Sequence, residues 1–171
     1  MKLSAIVYTS NTGYTAEYAR LLGEQTRLPV LPLAQAERSL ARGSRIIYLG
    51  WLMAGKVQGY RKAARRFTVC AVCGVGMGVT GSQLADVRKT NALPMTLPLF
   101  TLQGGFDLAR LHGVYKFMMT VMKKTAGKGL SEKPGRTPDE DAMLELLLRG
   151  GSRVSRENLA DVLAWYSENG I

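Results

Sequence analysis

Near the start of the chain, Thr9-Ser10-Asn11-Thr12-Gly13-Tyr14-Thr15 concentrates hydroxyls around one glycine. The run follows an apolar stretch, residues 3–8, that reads as a buried strand. It precedes a helix-favouring stretch, residues 14–25, whose Ala16, Ala19 and Leu22 share a face. A parallel strand delivers such a loop to the carboxyl edge of its sheet. The helix that follows points free backbone N–H groups back at it, and these groups and the helix dipole favour an anion. Ser10, Thr12 and Thr15 add hydroxyl donors, Gly13 permits close backbone approach, and the loop holds no lysine or arginine. The chemistry is that of a cradle that holds a phosphate through neutral dipoles. A hydroxyl-rich turn with an ordinary helix cap is the competing reading. Position at the first strand-to-helix turn favours the cradle, because ligands of parallel sheets sit at such turns.

The elements that must position this loop alternate along the chain. Further strands are expected at residues 30–33, 45–50, 69–73 and 96–103. Helices are expected around Leu40 up to Gly43, at 60–67, and after the glycine-rich residues 74–81 up to Asn91. Alternation of this kind predicts a parallel sheet with helices on both faces. The 171 residues, 46% hydrophobic with 19 glycines, suit one domain, residues 1–171. After Gly104-Gly105 a long helix is expected over 107–124, then a polar Gly/Pro segment over 127–134. Thr137-Pro138-Asp139-Glu140-Asp141 reads as a strong helix start, with a hydroxyl cap, a first-turn proline and acids at the positive dipole end. Ser155 can cap a last helix carrying Leu159, Val162, Leu163 and Tyr166 in one stripe. Residues 104–154 are therefore a helical insertion before that helix.

Ser10-Asn11-Thr12-Gly13-Tyr14-Thr15 resembles the phosphate-loop pattern T/S-x-T-G-x-T of the flavodoxins, and the alternation over residues 1–105 follows their order. The resemblance implies a three-layer α/β/α sandwich with five parallel strands in the order 2-1-3-4-5. It also implies FMN as cofactor, with its phosphate held at Thr9, Ser10, Asn11, Thr12, Gly13, Tyr14 and Thr15. Flavodoxins flank the flavin ring with the loops after the third and fourth strands. Carried onto this chain, those loops bring Trp51, Leu52, Met53, Ala54 and Gly55 from residues 51–59, and Gly74, Val75, Gly76 and Met77 from residues 74–81. Trp51 offers a large rigid apolar face for ring stacking, with core packing as its equal alternative. The second loop has no aromatic residue, which leaves one ring face open and suits the entry of a substrate or quinone.

Competing motifs are weaker. Residues 50–57 approach a Walker A loop, but Val57 stands where magnesium would need a hydroxyl. Gly76-x-Gly78-x-x-Gly81 lacks the acid about 20 residues on that a dinucleotide site requires. Cys70 and Cys73 lie on an expected buried strand, where odd spacing sends side chains to opposite faces, so they read as small core residues. His112, the one histidine, rules out a multi-histidine metal site, and no catalytic side chain is expected beyond the cofactor itself.

Charge is unevenly spread. The net charge is +10, and residues 131–171 are acid-rich while the rest is strongly basic. Lys56, Arg61, Lys62, Arg65 and Arg66 are candidates to frame the cofactor mouth. Leu108, Leu111, Tyr115, Met118, Met119 and Met122 form an apolar stripe flanked by Arg110, Lys116, Lys123, Lys124 and Lys128. That amphipathic pattern over 106–129 suits peripheral contact with an anionic membrane, with core packing as the alternative. No nucleic-acid partner is expected, because no stacking or groove-reading motif accompanies the charge. The absence of a signal-peptide pattern and of any run of the roughly 18–20 apolar residues needed to span a bilayer predicts a cytoplasmic address, or the inner face of the membrane.

The order Gly104-Gly105-Phe106-Asp107-Leu108, Lys116-Phe117-Met118-Met119 and Met122-Lys123-Lys124-Thr125-Ala126-Gly127 is similar to the flavodoxin-domain subgroup that includes menaquinone-dependent protoporphyrinogen oxidases. The similarity implies oxidation of protoporphyrinogen IX or a related substrate with a quinone as acceptor. The alternatives are an electron carrier between redox proteins, which the basic charge disfavours, and a non-redox binding module on the same fold.

Overall fold

Apolar runs without polar alternation form the centre of the molecule, because both of their faces are covered. The structure is a computed structural model that describes residues 2–107, 109 and 113–169. Leu108, Arg110, Leu111 and His112, and the side chains of Tyr115, Met118, Met119 and Met122, lie outside the described residues. Five strands run parallel: β1 (Ala5–Thr9), β2 (Val30–Pro32), β3 (Arg45–Met53), β5 (Thr68–Gly76) and β6 (Leu99–Gln103). They lie side by side in the order β2-β1-β3-β5-β6, with the short β4 (Lys56–Val57) folded back on the end of β3. With β4 set aside, this is the expected order of five strands.

One face of the sheet, with Ile47, Leu49, Cys73 and Val75, packs on α1 (Tyr14–Thr26) and α7 (Ala160–Asn169). The other, with Ile46, Tyr48 and Val72, packs on α2 (Leu33–Ser39), α3 (Tyr60–Arg66) and α4 (Leu84–Asn91). The helix after β1 thus lies on one face and the helix after β3 on the other. Adjacent strands β1 and β3 therefore flank the crevice where such sheets bind ligands.

Several boundaries differ from expectation. The second helix begins at Leu33 and ends at Ser39, and Leu40 is already extended. Pro32, which has no N–H to give a strand, stands at its N-cap. Residues 51–53 and 74–76 are strand rather than loop. Cys70 and Cys73 pack toward the same face, not opposite ones. A register shift places Ile46 opposite Val69 and Ile47 opposite Ala71, so the extra residue, Cys70, resets the alternation. Burial pushes the Cys73 thiol up to about 12 and raises that of Cys70, which keeps both protonated and unreactive.

The insertion is clasped at its base. β7 (Gly105–Phe106) and β8 (Gly151–Ser152) form a two-residue antiparallel ladder, and Arg153 N–H donates to Gly104 C=O at 2.7 Å. Between them lie α5 (Gly113–Glu132) and α6 (Pro138–Arg149). α5 runs through Gly127 and Gly129, which the sequence places in a polar break. Packing of Leu130 against Phe106, Leu146 and Leu147 outweighs the low helix propensity of glycine there. The predicted start of α6 is a capping box: Thr137 Oγ1 accepts from Glu140 N–H, and Glu140 Oε2 accepts from Thr137 N–H. No helix among the described residues is long and apolar enough to cross a membrane.

Candidate functional site

A cavity of about 300 Å³ opens at the carboxyl ends of β1, β3 and β5. Three segments singled out in the sequence converge on it: Asn11, Thr12, Tyr14 and Thr15; Trp51 to Gly55; and Val75, Gly76 and Met77. Its walls are mainly apolar; the polar side chains on them are Asn11, Thr12 and Thr15 at the β1–α1 turn, Gln83 before α4, and the carboxylate Asp107 after β7.

Gly13 stands at the N-cap of α1 with φ 97°, a left-handed conformation that a side chain would strain. Gly13 has no side chain with which to cap the helix start. Ser10 Oγ accepts from Gly13 N–H at 3.2 Å and retains its own O–H to donate. Thr15 is 2% exposed at the cavity wall. Ser10 and Gly13 face a neighbouring cleft on the other side of the loop, and Asn11 borders both.

Thr9 has a different role. The Tyr48 hydroxyl donates to Gln58 C=O at 2.8 Å, which leaves Thr9 Oγ1, 2.7 Å away, as donor to Tyr48. Burial pushes the Tyr48 phenol up to about 12 against the lowering effect of Thr9. Thr9 does not line the cavity.

The other two segments are strand ends, and that of β3 leads into a hairpin. β3 continues to Met53, turns through Ala54 and Gly55 at φ 47° and 74°, and returns as β4. This rigid ledge carries Trp51 and Met53 to the cavity. Gly74 and Gly76 explain why β5 is glycine-rich here: a Cβ on either would come within 2.9 or 3.1 Å of the Leu52 side chain. Gly74 is packed under Leu52 and does not reach the cavity, whereas Gly76 does.

Sequence reasoning missed Gln83, Gly105, Phe106, Asp107 and Met143, which also line the cavity. Gly104-Gly105 after the fifth strand was the available signal. A Cβ on Gly105 would meet the Tyr14 ring at 2.6 Å, so the glycine makes room for the aromatic of the phosphate-type loop. Tyr14 and Phe106 are 5% exposed. They supply the aromatic wall that the β5 loop lacks. Met143 comes from α6 and had no sequence signal. The basic side chains of α3 do not frame the cavity: Lys62 pairs with Glu37 at 2.8 Å, and Arg66 donates to Glu37 C=O at 3.0 Å. No lysine or arginine lines it among the described residues.

A phosphate bound at the turn and a planar apolar ring bound beside Trp51 fit what these residues offer: neutral donors at one end, aromatic and thioether surface at the other. Comparison of the chain with protein-family models, with characterised proteins and with solved structures found no match in any of the three.

Proposed function

We propose that the chain has a flavodoxin-like fold, binds FMN in this cavity and works as an oxidoreductase on a small organic substrate, of the protoporphyrinogen type, with a quinone as electron acceptor. The observation that supports this reading is the convergence of three sequence-distant segments on one cavity at the β1/β3 crevice. FMN supplies reversible acceptance of electrons from a carbon substrate. The first-turn amides of α1 and the hydroxyls of Thr12 and Thr15 hold the phosphate, and Ser10, on the other side of the loop, holds the turn by accepting from Gly13 N–H. Trp51, Tyr14 and Met77 exclude water from the ring side. Backbone groups at Ala54, Gly55 and Gly76 lie at the cavity edge, where hydrogen bonds tune a flavin.

Replacing Thr12 by glutamate puts a carboxylate beside the bound phosphate. Visible-absorbance titration of FMN is expected to show affinity lost by about 100-fold or more, two factors of ten at about 1.4 kcal/mol each. Unchanged affinity would move the phosphate site elsewhere.

Exposed Phe117 and Val121 on α5, with exposed Lys116, Lys124 and Lys128, support peripheral contact with an anionic bilayer. Flotation with phosphatidylglycerol vesicles is expected to recover the protein, and the Phe117→Ser, Val121→Ser variant is expected to stay unbound.

A further inference from the structure

The loop between β5 and α4 is held by a carboxylate from a distant part of the chain. Asp139, in the first turn of α6, accepts at Oδ1 from Val79 N–H at 2.5 Å and from Ser82 O–H at 2.9 Å. Its Oδ2 accepts from Gln83 Nε2 at 2.8 Å. A Cβ on Gly78 would come 2.8 Å from Oδ1, so only glycine allows this approach. The other side of the loop is fixed to β6: Thr101 Oγ1 donates to Ser82 C=O at 2.6 Å, and Gln103 N–H donates to Thr80 Oγ1 at 2.9 Å.

The geometry couples two walls of the cavity. Met77 and Gln83, at the ends of the loop, both line it. Met143, one helical turn beyond Asp139, lines it from the insertion. Of the other polar ties of α6, Lys133 to Glu140 at 2.5 Å and Arg136 to Asp141 at 2.6 Å reach the segment that joins it to α5, and Glu145 pairs with Arg153, just beyond β8, at 3.1 Å. Asp139 reaches the loop beside the sheet instead, through bonds strengthened by its charge.

We propose that Asp139 is the positioning residue that latches the helical insertion to the β5–α4 loop, and that this latch sets how far the Met143 wall closes the cavity. The second half rests on the FMN reading; the first does not. With the latch made, Met77, Gln83 and Met143 are held as one surface. With it broken, α6 keeps its capping box, its contacts with α5 and the Glu145–Arg153 pair but loses its polar hold on the β5–α4 loop, so the mouth widens.

Hydrogen exchange read by mass spectrometry tests the latch without cofactor. Asp139→Ala is expected to raise exchange about tenfold in residues 77–83 and 138–149 and leave β1 and β3 unchanged. Asp139→Asn, which keeps the volume but sets an amide against the Gln83 amide, is expected to give a smaller rise in the same peptides. Asp141→Asn is expected to leave residues 77–83 unchanged. Ser82→Ala added to Asp139→Ala is expected to cause no further rise, because both remove the same contact. Unchanged exchange at 77–83 in both Asp139 variants would overturn the latch. With FMN bound, iodide quenching of flavin fluorescence is expected to increase several-fold in Asp139→Ala; equal quenching would overturn its control of the mouth. A wild-type protein that takes up no FMN would defeat the cofactor reading and leave the exchange result to decide the latch.

Discussion

The sheet body and the helical insertion are held together by different means. The body has two extensive cores, one on each face, with Ile6, Ile46, Ile47, Tyr48 and Leu49 fully buried. Among the described residues, the buried core of the insertion is Phe106, Leu146 and Leu147, and polar staples accompany it: the β7–β8 clasp, the Thr137–Glu140 capping box and the Asp139 contacts. Burial is non-directional and cooperative, whereas a few exposed hydrogen bonds open locally at small cost. The β1–α1 turn belongs to the body and the Met143 wall to the insertion, so one cavity is lined by both regions.

The largest expected effect separates the two regions. Leu22 and Leu147 are both fully buried. Leu22→Ala should lower global unfolding stability by about 2–5 kcal/mol in denaturant titration. Leu147→Ala removes the same volume from the insertion. It should shift the global transition by less than about 1 kcal/mol while exchange rises across 113–149. Equal global shifts would make the insertion part of the same cooperative unit.

Tyr48→Phe strips the hydroxyl that Thr9 and Gln58 share. It should cost about 1–3 kcal/mol, read in the body transition, because polar partners are left unsatisfied. Thr137→Ala should cost about 1 kcal/mol in the local stability of α6 and leave the body unaffected. The smallest effect is one of pH. Lys133 and the Thr137 N–H hold the Glu140 carboxyl below its ordinary value of 4.5. Its contribution to α6 is therefore full above pH 4.5 and fades as pH falls through the lowered folded value. Exchange in 138–149 should rise on acidification before the body peptides respond, and Glu140→Gln should remove that difference.

The same contrast explains what the sequence made legible. Strands buried on both faces announce themselves as apolar runs, so the parallel sheet followed from alternation, and its strand order from the resemblance to the flavodoxins. The capping box of α6 was readable because it is local. The ends of β3 and β5 were misread as loops because Gly50, Gly74 and Gly76 look like punctuation. In the fold they are strand residues where another group comes close: Cβ atoms there would meet Gln58, Val57 or the Leu52 side chain. The bulge at Cys70 left no local mark. Phe106 and Gly105 carried a partial signal in the double glycine. Asp139 and Met143 carried none, since their contacts join residues some sixty positions apart and depend on how the insertion folds back.

Parallel titration of the purified protein with FMN and with riboflavin, followed by flavin absorbance, tests the central claim most directly, because the two ligands differ only in the phosphate. The expected result is FMN binding at least about 100-fold tighter than riboflavin, the affinity that the α1 amides and the Thr12 and Thr15 hydroxyls contribute. Equal affinities, or no binding of either ligand, would contradict the account.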